Sequence, residues 1–194
     1  MAKTVERCNK AMRFAVVLGD LTNEGTLLDL EQFAAERGVG VLINNAGVYS
    51  NGPFESMDDK QILDPLWVNL IAPICVTRRI YPYMKKQRSG VIVNINSAAG
   101  IRGGSGETIY AAAKHGLKGF SQTLRDEARP YNVQVMDVFP GAMNTTMLSH
   151  RNDLEDCIDV AEAAEIICTL LKQHASVSIS DVYLNRVKPP EGQC

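Results

Sequence analysis

A chain of 194 residues, 45% hydrophobic and 22% charged, is long enough to bury one core and too short for two typical domains, so residues 1–194 are read as a single domain. Its 20 basic and 22 acidic side chains give a net charge of -2 with no long block of one sign, which argues against a nucleic-acid surface. The five cysteines, Cys8, Cys75, Cys157, Cys168 and Cys194, are scattered and odd in number, without Cys-x-x-Cys or Cys/His metal spacing. They read as reduced thiols in a cytoplasmic setting, and no metal is implied. No apolar run approaches the ~20 residues that cross a bilayer. The polar opening MAKTVERCNK lacks the apolar stretch of a signal peptide, so no membrane partner is expected.

Along the chain, short β-branched runs alternate with longer stretches of helical spacing, which predicts an α/β fold with a parallel sheet covered on both faces. Five strands are expected, at Phe14 to Leu18, Val39 to Asn44, Gly90 to Ile95, Val133 to Phe139 and Val177 to Leu184. Between them TLLDLEQFAAER, the segment around LWVNLIAPICVTRRIYPYM, TIYAAAKHGLKGFSQTLRDEAR and DVAEAAEIICTLLKQH read as crossover helices. The ending VKPPEGQC, with residues 187–194, reads as a flexible tail.

Ligands of open parallel sheets bind beyond the carboxyl ends of the strands. There the second run gives Asn44, Asn45, Ala46 and Gly47; the third gives Asn96, Ser97, Ala98, Ala99 and Gly100; the fourth gives Pro140, Gly141, Ala142, Met143, Asn144 and Thr145. Small residues let a ligand approach the backbone, and amide or hydroxyl groups supply fixed hydrogen bonds. Any one such loop is ordinary turn chemistry. Three at the same end of the sheet point to a binding site.

Tyr110 and Lys114, four residues apart on a helix, share one face. Tyr81 and Lys85 have the same spacing, so spacing alone decides nothing. Context separates the pairs. Ser97 stands at a strand end thirteen residues before Tyr110, whereas Val68, inside a helical run, stands thirteen before Tyr81; three alanines follow Tyr110, and Pro82 follows Tyr81. His115, His150 and His174 are isolated and read as surface or packing residues.

Asp20, the Asn44 to Gly47 turn, Asn69, Ser97, the Tyr110 and Lys114 pair, and the Pro140, Gly141, Thr145 loop occur in an order and spacing that resemble the short-chain dehydrogenase/reductase family. The resemblance covers nearly the whole chain. It implies a Rossmann-like sheet and hydride transfer between a nicotinamide cofactor and an alcohol or carbonyl substrate. Tyr110 is then the general acid/base, Lys114 the cation that favours phenolate and meets the ribose, and Ser97 the group holding the substrate oxygen. Asn69 would sit in a helix irregularity whose main chain holds a water of the proton relay. Read from residue type alone, an Asn in an apolar helix equally marks a local kink.

The cofactor contacts implied are Asp20 at the adenine, Asn44, Ala46 and Gly47 along the adenosine ribose, and Pro140, Gly141, Met143 and Thr145 around the nicotinamide and pyrophosphate, with Tyr110 and Lys114 at the nicotinamide ribose. GDLTNEG is also a helix N-cap signal, which leaves Asp20 two readings. The cofactor is NAD or NADP; a loose likeness of residues 159–187 to NADP-dependent hydroxy-acid and serine dehydrogenases tilts it to NADP. The helices around Trp67 to Met84 and Thr108 to Glu127 resemble those through which family members form homodimers or homotetramers.

The family's opening strand and its Thr-Gly-x-x-x-Gly-x-Gly turn have no counterpart here. The expectation is a family domain without its first βαβ unit, in which Phe14 to Leu18 either pairs beside Val39 to Asn44, pairs with another chain or is poorly held. Two functions follow from this: an NAD(P)-dependent oxidoreductase, or a catalytically inactive shortened member that acts by protein–protein association.

Overall fold

The computed structural model describes residues 16–148, 153–172 and 177–187. Four parallel strands, β1 (Val41–Asn44), β2 (Gly90–Ile95), β3 (Val133–Pro140) and β4 (Asp181–Leu184), lie in the order β1-β2-β3-β4. Their registers set Val41 beside Val91, Val91 beside Gln134, and Asp137 beside Asp181. The helices are α1 (Glu24–Arg37), α2 (Asp59–Leu66), α3 (Ala72–Gln87), α4 (Thr108–Ala128) and α5 (Val160–Leu170). A parallel sheet flanked by helices is the Rossmann-like class expected.

Alternation along the strands divides the core in two. Ile92, Val133 and Val135 pack with Leu27, Val76, Ile80, Met84 and Leu124 from α1, α3 and α4. Val93, Met136 and Val138 turn the other way, onto Ala163 of α5 and Leu184. Burying apolar area at roughly 25 cal/mol per Å² makes these two layers the main source of stability.

The helix ends follow from local chemistry. Asn23 Oδ1 accepts the Gly25 N–H at 2.8 Å to start α1, and Gly38, with φ 70°, ends it. Asp58 and Gln61 form a reciprocal capping box at α2. Asp159 accepts from Ala161 and Glu162 to start α5. Arg79 of α3, 7% exposed, pairs with Glu24 and ties α3 to α1.

Of the strand expected at Phe14 to Leu18, the described part does not pair beside β1. Residues 16–18 join no ladder, Val16 and Leu18 are 49% and 69% exposed, and β1 pairs with β2 alone among the described residues. A β-branched run makes a strand only where a neighbour offers hydrogen bonds. Phe14 and Ala15 lie outside the described residues, as do residues 188–194 of the expected tail. The final strand is shorter than predicted, beginning at Asp181, with the Ser180 carbonyl accepting the Asp137 N–H at 2.9 Å just before it.

The decoy pair also finds its place. The Tyr81 hydroxyl donates to the Glu127 carbonyl at 3.3 Å, and Lys85 lies over the Tyr131 ring with Nζ 4.1 Å from its centre. Tyr81 and Lys85 fasten α3 to the end of α4.

Candidate active site

A cavity of about 580 Å³ opens at the carboxyl ends of β1, β2 and β3. Its wall includes Ala46, Gly47, Asn69, Ser97, Tyr110, Lys114, Pro140, Gly141, Met143 and Thr145. The structure therefore brings ten of the twelve sequence-predicted site residues to one space. Strand ends deliver the loops, and α4 brings Tyr110 and Lys114 one turn apart on the same wall.

Ser97 begins a tight turn just after β2. Its Oγ accepts the Ala99 N–H at 3.1 Å, its carbonyl accepts the Gly100 N–H at 2.9 Å, and Asn96 Oδ1 accepts its own N–H at 3.0 Å. With the Oγ lone pair engaged, the hydroxyl hydrogen is directed elsewhere. Burial raises the Tyr110 phenol above its ordinary value; a hydrogen bond with Ser97 opposes this and the Glu107 carboxylate adds to it.

Lys114 is 4% exposed, and its Nζ donates to the Ile95 carbonyl at 2.9 Å. Burial lowers its pKa to about 8, against the pull of Asp137, which favours the charged form. Nζ sits 5.8 Å from the centre of the Tyr110 ring. In the protein alone, then, the amine is bound to the sheet, and burial governs the phenol.

Asn69 lies in a five-residue π-helical turn, Trp67–Ile71, between α2 and α3. Its Nδ2 donates to the carbonyls of Pro65 (2.9 Å) and Val48 (2.8 Å), and its Oδ1 accepts the Val48 N–H at 3.2 Å. By taking the carbonyl four residues back, the side chain accompanies the local widening of the helix and pins the loop after β1. Gly47 lies beside it: a Cβ there would come within 3.0 Å of Asn69 Oδ1 and 4.0 Å of Lys114 Nζ.

Two predicted residues are not part of this wall. Asn44 points from β1 into the layer under α3, where its Nδ2 donates to Thr77 Oγ1 at 3.0 Å and Asn94 Oδ1 at 2.7 Å. Strand alternation gives it to the core, while the residues after it curve into the cavity. Asp20 is exposed and accepts the Thr22 N–H at 2.8 Å, a bond that lowers its pKa. Its neighbour Asn23 caps α1, and Asp20 shapes the turn before it.

Other wall residues were not predicted. Tyr49 packs edge-on against Tyr110 with ring centres 5.2 Å apart, and its hydroxyl donates to Glu107 Oε1 at 2.9 Å. The second Glu107 oxygen accepts the Gly104 N–H at 2.7 Å. Glu107 stands at the N-cap position of α4 without capping it, because its carboxylate joins the loops on either side of Tyr110. Its place three residues before Tyr110 was a usable signal; the contact with Tyr49, 58 residues away, was not.

Small loop residues, a phenol, an ammonium and a hydroxyl around one space suit the nicotinamide and ribose end of a dinucleotide. Of the residues expected at the adenosine end, Ala46 and Gly47 line the cavity, whereas Asn44 is engaged in the core and Asp20 is outside it. Among the described residues, no cluster suited to a metal is present, and no helix is long and apolar enough to cross a membrane.

Comparisons with known proteins agree with this fold. The short chain dehydrogenase family model matches residues 1–156. Nodulation protein G of Rhizobium sp. (strain N33) is 36% identical over 157 residues, covering 76% of this chain and 64% of that protein. Acetoacetyl-CoA reductase of Acinetobacter sp. (strain RA3849) is 36% identical over 170 residues, covering 87% of this chain and 67% of that protein. The crystal structure of a metagenomic short-chain oxidoreductase in complex with NADP superposes with a TM-score of 0.77 at 27% identity, covering 97% of this chain and 79% of that one. The chain thus spans about two thirds of the length of the two curated relatives. On the extent of the family match and this level of identity, the chain belongs to the short chain dehydrogenase family.

Proposed function

We propose that this chain interconverts an alcohol and a carbonyl with NADP or NAD, using Tyr110, Ser97 and Lys114. The observation that carries this reading is their convergence on one cavity: a phenol, a hydroxyl and a buried ammonium line the same space, the ammonium one helical turn from the phenol. When bound, a nicotinamide supplies or accepts the hydride. Lys114 and Tyr110 would hold its ribose, the Pro140 to Thr145 loop would take the nicotinamide and pyrophosphate, and Ala46 and Gly47 the adenosine ribose. The NADP bound by the metagenomic relative supports NADP over NAD.

In carbonyl reduction, Tyr110 gives its hydroxyl proton to the oxygen of the substrate as charge develops there. Ser97 donates a hydrogen bond to the same oxygen and holds it at the phenol. Lys114 supplies positive charge that stabilises the phenolate left behind. Asn69 keeps the Gly47 and Val48 loop against Lys114, and its main chain in the π-turn holds the water that returns a proton from solvent. Homodimers or homotetramers would form through the Trp67 to Met84 segment and α4, where Trp67 is exposed.

A second reading, association without catalysis, has one observation in its favour: Asp20 and Asn44 offer no adenosine contact in the cavity. Fluorescence titration of the 194-residue chain with NADPH and NADH separates the two. Saturable binding followed by turnover of a ketone panel supports the oxidoreductase. No saturable binding removes that reading for this chain and leaves association.

A further inference from the structure

We propose that Asp137 is a positioning residue of this site, fixing the Ser97 turn through Asn96. The inference rests on the role given above to Ser97.

Asp137, on β3, is fully buried, and its neighbours on the same side of the strand, Val133, Val135 and Phe139, are apolar. Its Oδ1 accepts from Ser121 Oγ at 2.9 Å and, at the long distance of 3.5 Å, from Asn96 Nδ2. Its Oδ2 has no hydrogen-bond partner. The nearest cation is Arg125, at 3.7 Å, which already donates to Val135 O, Ser180 O and Asp181 Oδ1. A buried carboxylate with one bare oxygen costs stability, and an apolar residue would suit this face of the strand better. Packing therefore gives no reason for an acid here.

The connection through Asn96 does give one. An Asn amide has a donor end and an acceptor end. Asp137 can only accept when ionised, and the Ser97 N–H can only donate, at 3.0 Å to Asn96 Oδ1. Between them the amide has a single orientation. Reversed, it would set an NH2 against the Ser97 N–H and an oxygen against the carboxylate. The turn lies directly on this amide, since a Cβ on Gly100 would meet Asn96 Oδ1 at 2.5 Å and the Lys114 carbonyl at 3.0 Å. The position of Ser97 before Tyr110 is thus referred, through one side chain, to the interior of the sheet.

The charged or polar groups acting on Asp137 are Ser121 and Arg125 from α4, Asn96 just after β2 and Asp181 from β4. Burial raises the Asp137 pKa to about 7, and its charge favours the ammonium of Lys114.

Two variants separate the geometric and electrostatic parts. Asp137→Val suits the strand but removes both acceptor and charge; Asp137→Asn keeps an acceptor and removes only charge. Amide hydrogen exchange by NMR is expected to be ~tenfold faster at Ser97 in Asp137→Val, the effect of one lost hydrogen bond, with the β2 and β3 ladders unchanged. Asp137→Asn, which still offers an oxygen to Asn96, should keep Ser97 protected. Unchanged exchange at Ser97 in Asp137→Val, or uniform loosening of the whole sheet, overturns the positioning role. Loss of Ser97 protection in Asp137→Asn overturns the proposal even if Asp137→Val does not fold. Both readouts need neither cofactor nor substrate. If they come out as expected and cofactor does not bind, the oxidoreductase reading falls and the Asp137 to Ser97 link stands.

Discussion

Lys114 and Tyr110 stand one turn apart on α4, yet the Lys114 ammonium donates to the Ile95 carbonyl of β2 at 2.9 Å and lies 5.8 Å from the centre of the Tyr110 ring. The cation is held by the sheet, and burial brings its pKa to about 8 from an ordinary 10.5. If the ammonium supports phenolate formation, kcat/KM for carbonyl reduction falls as pH rises through about 8, because the neutral amine has lost the charge that acts on Tyr110. The stability linkage runs the other way. The folded chain gives up this proton before the unfolded chain does, so this group adds stability as pH rises from about 8 toward 10.5. A pH–rate profile with parallel denaturant melts measures both; a profile flat through pH 8 removes the role given to Lys114.

Tyr110→Phe keeps the ring that packs on Tyr49 and removes the proton that would be transferred. Turnover is expected to fall by ~100- to 10,000-fold, the usual range for general acid–base catalysis, with cofactor affinity within about threefold. Steady-state kinetics and fluorescence titration decide it. Equal turnover in the variant would assign the proton transfer to another group.

Much of the site was legible because its chemistry lies at strand ends, where position along the chain and position in the fold coincide. Ser97, Gly141 and Thr145 reach the cavity by following strands, and Tyr110 and Lys114 reach it through helical periodicity. Asn44 differs from Ala46 by two positions, but the last residue of β1 still obeys strand alternation and belongs to Thr77 and Asn94. Residues 16–18 have strand-like composition but make no ladder, because pairing is a property of a neighbour that composition does not contain. The bond from Tyr49 to Glu107 and the approach of Asn96 to Asp137 join distant segments and have no local signal.

Asp137 titrates in the opposite sense to Lys114. Burial raises its pKa from 3.8 to about 7, so between those values the folded chain holds a proton that the unfolded chain has released, and stability falls as pH rises through this window. Asp137→Asn removes the titration. The variant's melting temperature relative to the parent should therefore rise from about pH 4 to pH 7 and level off above it. A constant difference across that range would show that the carboxylate carries no such burden.

Asn69→Ala deletes three hydrogen bonds at once, two donated to Pro65 and Val48 and one accepted from Val48. Val48 is partly exposed, so water replaces some of what its backbone loses. Destabilisation of about 1–3 kcal/mol is expected from denaturant unfolding, within the range for partly buried hydrogen bonds. Faster amide exchange at Val48 should accompany it, because the loop after β1 loses its clamp. A loss below about 0.5 kcal/mol would mean that the loop is held by other contacts.

Gly100 and Gly119 provide a matched pair in which the same substitution has opposite consequences. A Cβ at Gly100 would meet Asn96 Oδ1 at 2.5 Å and the Lys114 backbone carbonyl at 3.0 Å, and only the first of these belongs to a side chain. The main-chain contact cannot swing aside, so Gly100→Ala must push the Ser97 turn away from α4, at a cost of about 1–3 kcal/mol. The shift also alters the approach of Ser97 to Tyr110, so kcat should fall more than stability alone explains. Gly119 lies on the exposed face of α4 with nothing within 4 Å of a new Cβ. There Ala replaces the helix's most flexible residue, and Gly119→Ala should stabilise the protein by about 0.5–1 kcal/mol without touching turnover. Thermal melts and initial rates on the two variants test the same physical claim from both sides. Gly100→Ala behaving like Gly119→Ala would mean that the Ser97 turn is not packed against α4 as described.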